Sequence, residues 1–445
     1  MEPPGPPDTN DWITGDTAMA ARTLLWIAIG ATLLSGCGGG GGSSGGGGNN
    51  ASGNPPPPTF NFKTASVVIG QADFTSSSPN QGGTTAANTI NNPYGSPAYD
   101  NGVLYLPDGG NNRILGFNAL PTINNATADF VIGQTGDTQN TSGTSASAVD
   151  SPQSPSISDG QLFITDYFNN RALVYNPVPT TGPVSASLAL GQADLTSNAE
   201  ACSQTGMIAP ESLSAAAGKL VVADTDNSRV LIWNNNSSLS NGSPADVVLG
   251  QNSFTNCTDN DDDQNGSPDA QPSNRTLAFP TGVWTDGNKL VVLDSDNNRA
   301  LIWNSFPTTH FTPADIVLGQ ETFQNNTAND DNQDGVPEAK ATARTLNFPY
   351  DGVDSDGTRL VITDSDNHRV LIWNQFPQVS FDPADEVIGQ TDFFNNLPND
   401  DDQDGLPDTQ PSNRTLNEPT GVALIDSQTL IVGDRQNNRF LLFRK

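Results

Sequence analysis

Short apolar runs separated by turn residues recur along most of the chain, and residues 349–390 show the repeating unit most clearly. An apolar run after Pro349 leads to an Asp-Gly turn, and three further runs occupy residues 360–363, 370–373 and 387–388. The runs are rich in β-branched residues and are bounded by turn residues, which is typical of short β-strands. The unit therefore predicts four antiparallel strands connected as a meander.

Three markers repeat this unit six times. An Asp and an Arg five residues apart recur at intervals of 58, 58, 70, 70 and 70 residues, a Gly-Gln pair ends each unit, and an aromatic residue follows each Arg by four positions. The pairs are Asp108/Arg113, Asp166/Arg171, Asp224/Arg229, Asp294/Arg299, Asp364/Arg369 and Asp434/Arg439. Periodic units of this size predict an all-β fold, a six-bladed β-propeller with four-stranded antiparallel blades.

The repeats begin out of phase, which indicates how the ring closes. Residues 67–71 match the last strand of a unit, whereas residues 421–443 supply only the first three strands. Pairing of Val67–Gly70 with Phe440–Phe443 would complete the sixth blade and leave no long exposed sheet edge. We therefore predict closure of the propeller by the N-terminal strand.

The N-terminal segment has the organisation of an export signal. Residues 1–37 form a signal peptide region, with Met19 as the predicted true start, and the 12-residue run Thr23–Leu34 is too short to span a bilayer. Leu34-Ser35-Gly36-Cys37 resembles a bacterial lipobox, which implies lipidation of Cys37 and anchoring to a membrane, in an outer-membrane or cell-surface location; a chance cysteine or an uncleaved anchor is the alternative. Residues 38–64 predict a Gly/Ser/Pro-rich linker, and residues 65–445 the propeller.

Charge and cysteine content narrow the classes of partner. The formal net charge of −31 opposes binding to nucleic acid. It is compatible with cation binding. The two cysteines other than Cys37 are Cys202 and Cys257, which lie in corresponding loops of adjacent units. In an exported chain they predict one disulfide.

Parts of the unit resemble the NHL repeat, notably Pro280-Thr281-Gly282-Val283 through Arg299 and the units that start at Pro349 and Pro419. The resemblance covers about residues 65–443 and implies a six-bladed propeller. Pro97 and Pro155 are expected to interrupt the inner strands of the first two units. The family includes scaffolds, ligand binders and a few enzymes, so the fold does not determine the function.

Three acidic insertions carry the clearest chemical signal. Each fits D-x-[DN]-x-[DN]-G-x-P-[DE], in which oxygen ligands at positions 1, 3, 5 and 9 could converge on one cation. The predicted ligands are Asp261, Asp263, Asn265 and Asp269, then Asp330, Asn332, Asp334 and Glu338, then Asp400, Asp402, Asp404 and Asp408. The loops resemble those of thrombospondin type 3 repeats and EF-hands, which implies calcium. The bidentate Glu of an EF-hand is missing, since its position holds Pro272, Ala341 or Pro411, and a solvated acidic loop is the alternative.

The other polar candidates favour structure over catalysis. Because the Asp…Arg pair occurs in six equivalent places, we interpret it as a buried or semi-buried clasp between strands. The chain has two histidines, His310 and His368, which is few for a catalytic zinc site. The non-repeated acids near the inner strands, Glu211, Asp354 and Glu418, are the candidates for a site in the central channel.

The sequence thus favours a monomeric, exported, membrane-anchored propeller that binds calcium and acts as a protein- or glycan-binding module at the bacterial cell envelope. The acidic loops and the Asp…Arg turns are predicted to share one face of the disc, because strands of a meander alternate in direction. The alternative is a metal-dependent hydrolase or lyase with its site in the central channel, which would require the non-repeated carboxylates to converge there.

Overall fold

A computed structural model describes residues 63–445 as six four-stranded antiparallel sheets. The strands of the closing sheet are β1 (Ala65–Ile69), β22 (Pro419–Asp426), β23 (Thr429–Asp434) and β24 (Arg439–Arg444). Blade I has β2 (Ala98–Asp100), β3 (Val103–Asp108), β4 (Arg113–Phe117) and β5 (Phe130–Ile132). Blade II has β6 (Pro152–Ser158), β7 (Gln161–Asp166), β8 (Arg171–Tyr175) and β9 (Leu188–Leu190).

The next three sheets repeat the same order. Blade III has β10 (Pro210–Ala216), β11 (Lys219–Asp224), β12 (Arg229–Trp233) and β13 (Val247–Leu249). Blade IV has β14 (Pro280–Thr285), β15 (Leu290–Asp294), β16 (Arg299–Trp303) and β17 (Ile316–Leu318). Blade V has β18 (Val353–Ser355), β19 (Leu360–Asp364), β20 (Arg369–Trp373) and β21 (Glu386–Ile388). The closing sheet is blade VI, so the predicted six-bladed propeller is confirmed.

Short 3₁₀ turns connect the second and third strands of every blade. They are Gly109–Asn111, Tyr167–Asn169, Thr225–Asn227, Ser295–Asn297, Ser365–Asn367 and Arg435–Asn437; two others are Pro79–Gly82 and Asn236–Ser238. The residue after each of the six turns is left-handed, with φ between 46° and 54°. Asn occupies four of these positions, because its short polar side chain tolerates this conformation.

The ring is closed by the strand that the repeat phase predicted. β1 pairs antiparallel with β24, with Ala65 opposite Phe443 and Ile69 opposite Phe440. The sheet order is β1-β24-β23-β22, so the N-terminal strand is the outer strand of blade VI. The two ends of the described chain therefore complete one sheet.

The core consists of six apolar clusters, and each cluster lies between two neighbouring blades. The third strand of blade V shows the cause. Leu371 and Trp373 pack toward blade IV, whereas Val370 and Ile372 pack toward blade VI. Because both faces of this strand are covered, its sequence is apolar throughout and does not alternate. The aromatic residue four positions after Arg369 is therefore buried between two blades.

The inner strand of blade I follows the prediction for its proline, whereas that of blade II does not. β2 begins after Pro97, as expected, but β6 runs through Pro155 with an irregularity in register between Gln153 and Ser156. An inner strand has one free edge, where proline can be placed because no N–H is needed for the ladder. The interruption at Pro155 is therefore a local bulge and not the end of a strand. In residues 63–445, no helix has the length and apolar character to cross a membrane.

Candidate metal and binding face

The Asp…Arg pairs are fully buried clasps at one face of the disc, which we call the clasp face. In blade V the Arg369 Nε donates to Asp364 Oδ2 at 2.7 Å, and both side chains are 0 % exposed. The guanidinium also donates to the carbonyls of Phe393, Thr342 and Thr345. Burial raises the pKa of Asp364, and the positive charge of Arg369 opposes that rise. These hydrogen bonds connect the turn between the second and third strands to the loops on either side of it. The interpretation of the Asp…Arg pair as a structural clasp is therefore confirmed.

The acidic loops lie on the same face as the clasps, as predicted from strand direction. The residue before each loop's first aspartate exchanges side-chain hydrogen bonds with the last asparagine of the neighbouring 3₁₀ turn. The pairs are Asn260 with Asn297, Asn329 with Asn367, and Asn399 with Asn437. Each acidic loop is thereby attached to the clasp of the blade that follows it.

Each acidic loop folds around its first aspartate, which is buried. Backbone N–H groups of Asn265 and Gly266 donate to the two carboxylate oxygens of Asp261 at 2.9 and 2.8 Å. Gly266 has φ +84°, a left-handed conformation that explains the glycine at position 6. At position 9, the Asp269 carboxylate accepts a hydrogen bond from Asp262 N at 2.8 Å. The second loop repeats this pattern around Asp330, and the third repeats it around Asp400 except for the hydrogen bond from the position 5 N–H.

The structure brings carboxylates together in two of the three loops. Asp261, Asp263 and Asp269 each offer an oxygen within 4.8 Å of the others, and so do Asp400, Asp402 and Asp404. Among residues 63–445 these are the groups of three acids at that spacing; the second loop has Asn332 at position 3 and does not form one. An all-oxygen donor set suits a hard cation such as calcium. One oxygen of the buried Asp400 has no hydrogen-bond partner, which favours a cation there.

Two loop positions that the sequence reasoning passed over hold the loops in place. The aspartate at position 2 forms an ion pair with an arginine thirteen residues later, and the glutamine at position 4 bonds to the carbonyl of position 1. The ion pairs are Asp262–Arg275, Asp331–Arg344 and Asp401–Arg414. The glutamines are Gln264, Gln333 and Gln403. Their recurrence at the same positions in all three insertions was the signal that could have identified them.

The cysteines meet beside the first acidic loop. The structure joins Cys202 and Cys257 in a disulfide, with 6.4 Å between their Cα atoms. Cys202 follows β9 and Cys257 follows β13, so the bond connects loops of two adjacent blades. Cys257 lies four residues before Asp261 in the chain. The third cysteine, Cys37, lies outside the described residues, as do the signal region and nearly all of the predicted linker.

The central channel contains a cavity of about 260 Å³ lined by inner strands of all six blades. Several of its polar side chains accept hydrogen bonds from the backbone of a neighbouring blade. Ser156 accepts a hydrogen bond from Ala215 N, and Asp354 accepts one from Leu424 N at 2.7 Å. Burial raises the pKa of Asp354 to about 7. These groups satisfy the free edges of the inner strands, which the ladder leaves without partners.

The three candidate channel acids do not converge. Asp354 lines the cavity, Glu418 pairs with Arg435 near the clasp face, and Glu211 accepts a hydrogen bond of 2.5 Å from the hydroxyl of Tyr350. Glu211 interacts electrostatically with Asp351, a residue that the sequence analysis did not identify as a candidate. The signal was the extra residue of the fifth unit, Pro-Tyr-Asp-Gly, where the fourth and sixth units read Pro-Thr-Gly.

Both histidines accept hydrogen bonds from the backbone through Nδ1. His310 accepts from Val248 N at 3.2 Å, and His368 accepts from Glu418 N at 3.0 Å. Burial lowers the pKa of His368 to about 4, so its ring is neutral at neutral pH. Each ring therefore serves to connect neighbouring segments.

The sequence matches no protein-family profile and no curated protein. Among solved structures, the chain is similar to an auxiliary nutrient binding protein from Bacteroides thetaiotaomicron, with a TM-score of 0.45 and 11% identity over 85% of this chain and 75% of that one. It is also similar to a streptogramin B lyase (TM-score 0.40, 10% identity, 84% and 97% covered) and to the WD40 propeller domain of Doa1 (0.39, 13%, 87% and 95%). At these identities the similarity concerns the fold alone.

Proposed function

We propose that this chain is an exported, membrane-anchored, monomeric propeller of the NHL type, and that it binds a protein or glycan at the cell envelope through a calcium-stabilised face. The observation that carries the proposal is the placement of the three acidic loops. They precede blades IV, V and VI in succession, and each is attached to the clasp face by the same asparagine pair. Loops held on a rigid scaffold are where recognition is usually found.

The residues present suit calcium. Positions 1, 3, 5 and 9 offer carboxylate or amide oxygens, and calcium takes six to eight oxygen ligands at flexible geometry. The buried first aspartate and the neighbouring acidic groups repel one another when no cation is bound. Calcium would supply the positive charge that offsets this repulsion and would order the loop. The chain's own contribution is to fix the loop through the position 2 ion pair and the position 4 glutamine.

The outer surface of the same loops suits contact with a partner. At position 7 the loops carry Ser267, Val336 and Leu406, and the last two are 61% and 66% exposed. Apolar side chains that stand out from an acidic rim are a frequent feature of recognition surfaces. The net charge of −31 argues against nucleic acid as the partner.

The enzymatic alternative, a hydrolase or lyase with a metal in the channel, has less support. The carboxylate of Asp354 is engaged with backbone N–H groups, and Glu211 is fully buried. A catalytic group must reach its substrate, but the Asp354 carboxylate is held by the backbone and Glu211 does not line the cavity.

The calcium component is tested by titration calorimetry on the full chain and on the Asp402→Ala/Asp404→Ala variant. We expect the variant to bind one calcium ion fewer, because it loses two ligands of the third loop. Asp392→Ala is the matched control: its exposed carboxylate lies outside the acidic loop and accepts from Phe394 N and Asn395 N, so calcium stoichiometry should be unchanged. Unchanged stoichiometry in the double variant would identify the third loop as a solvated acidic turn.

A second measurement follows thermal unfolding with and without chelator. A cation that binds only the folded state at 100 times its Kd stabilises that state by about 2.7 kcal/mol.

The anchor is tested separately, since Cys37→Ser should move the protein from the membrane fraction to the soluble one. A Cys37→Ser form that remains in the membrane fraction would show that another segment anchors the chain.

A further inference from the structure

A second group of oxygen atoms lies on the propeller axis, apart from the acidic loops. Glu211 belongs to β10 of blade III, and Asp351 lies two residues before β18 of blade V. The two residues are 0 % and 1 % exposed. They come from non-equivalent positions of their units, so the repeat pattern does not account for them.

Several of these buried oxygens lack a hydrogen-bond partner. They are Glu211 Oε2, both carboxylate oxygens of Asp351, and Ser154 Oγ. The Gly95 N–H lies near enough to lower the pKa of Asp351, although it forms no hydrogen bond of normal geometry with either oxygen. A Cβ built on Gly95 would lie 2.6 Å from Ser154 Oγ, so Gly95 is beside both Ser154 and Asp351. Buried polar atoms are rarely left unpaired, and each requires an explanation.

The charge on the axis is also unbalanced. Tyr350 donates to Glu211 Oε1 at 2.5 Å but carries no charge. Within residues 63–445 the nearby cation is Arg435, which forms an ion pair with Glu418 and a hydrogen bond with the hydroxyl of Tyr94, and whose charge also acts on Glu211 and Asp351. One guanidinium therefore faces three carboxylates, which leaves an excess of negative charge. Burial and the charge of Asp351 raise the pKa of Glu211, which is the direction expected where a proton or a metal ion would relieve the repulsion between two buried carboxylates.

We propose that the propeller axis holds a hard divalent cation between Glu211 and Asp351, with Ser154 supplying a further oxygen. Every partnerless atom in the group is an oxygen, which selects calcium, magnesium or manganese over softer metals. The double negative charge matches a divalent ion. Because the site connects the inner strands of blades II, III and V, the ion would stabilise the ring at its centre. This site is independent of the acidic loops.

The test uses full-length chain that carries Asp263→Ala, Asp334→Ala, Asp402→Ala and Asp404→Ala to disable the acidic loops. After purification in calcium and removal of free metal, its bound metal is measured by elemental analysis. We expect about one divalent ion per chain. Terbium exchanged into the site should emit on tyrosine excitation, because the hydroxyl of Tyr350 contacts Glu211. Adding Glu211→Gln and Asp351→Asn, which keep the side-chain size, should abolish both the bound ion and the terbium emission.

Two results would overturn the proposal. The first is that the loop-disabled chain contains no bound metal and melts at the same temperature with and without chelator. This would show that Glu211 and Asp351 carry protons in place of a metal ion. The second is unchanged metal content after Glu211→Gln and Asp351→Asn. If the axis variant fails to fold, the metal content of the loop-disabled chain still decides between ion and proton. A finding that the acidic loops do not bind calcium would contradict only the proposed function of the clasp face and would leave the axis site unaffected.

Discussion

Replacing Arg369 by methionine should destabilise the propeller by about 3–5 kcal/mol, the cost of breaking a buried ion pair. Methionine preserves much of the side-chain volume, so the change removes mainly charge and hydrogen bonds. Asp364 would keep its contacts with Asn347 N and Asn367 but lose its counter-charge inside the protein. The carbonyls of Phe393, Thr342 and Thr345 would also lose a donor, which adds to the cost.

The matched control is Arg414→Met, which breaks the exposed pair with Asp401. Arg414 is 50% exposed and Asp401 31%, compared with 0 % for both members of the clasp. Exposed pairs are worth about 0–1 kcal/mol, because water solvates the separated charges almost as well. The two substitutions are chemically identical, so the difference in their effects measures burial together with the three hydrogen bonds from Arg369 to carbonyls.

The assay is equilibrium unfolding in guanidinium chloride, followed by tryptophan fluorescence. Trp373 lies four residues after Arg369 and is buried between blades IV and V. A lower midpoint at an unchanged slope would report lost stability. The double variant Arg369→Met/Asp364→Leu should recover part of the loss, because it removes the uncompensated carboxylate. If Arg369→Met costs no more than Arg414→Met, the clasp is not a significant source of stability.

Three other outcomes are expected. Deleting residues 65–71 should destabilise the propeller, because it removes the buried side chains of Val67, Val68 and Ile69, worth about 1.5–3 kcal/mol each, and exposes an edge of blade VI. A truncated chain that melts at the same temperature as the intact one would contradict the closure. Asp354→Asn should gain on the order of 1–2 kcal/mol of stability relative to the parent chain between pH 4 and pH 8, in addition to a pH-independent loss because the amide can accept only one of the two backbone N–H bonds, as measured by the pH dependence of the unfolding midpoint. The sign follows because the folded-state pKa of Asp354 is about 7, so the unfolded chain releases this proton first and stability falls as pH rises from about 4 to 7. Reducing the Cys202–Cys257 disulfide should lower stability by about 3–4 kcal/mol, and two free thiols in protein from an oxidising compartment would exclude the bond.

The sequence alone determined the repeating architecture. The number of blades, the closure by residues 67–70 and the clasp role of Asp364 and Arg369 all followed from patterns that occur once in every unit. Each blade contacts mainly its two neighbours, so a repeat protein encodes most of its packing within a unit and at one kind of interface. The same logic placed the acidic loops on the clasp face, because strand direction alternates within a meander. It also marked their ligand positions, for which calcium stays a prediction.

Only the tertiary structure showed what happens where equivalence between units breaks down. Glu211 and Asp351 are 140 residues apart in the sequence, and they meet because inner strands from different blades converge on one axis. The separate engagement of Asp354 with Leu424 N depended on the same convergence. The bulge at Pro155 likewise depended on which strand edge faces the channel. Contacts at the axis join non-equivalent residues that are far apart in the sequence, so no local sequence pattern predicts them. Contacts between blades recur in every unit, and the repeat pattern therefore predicts them.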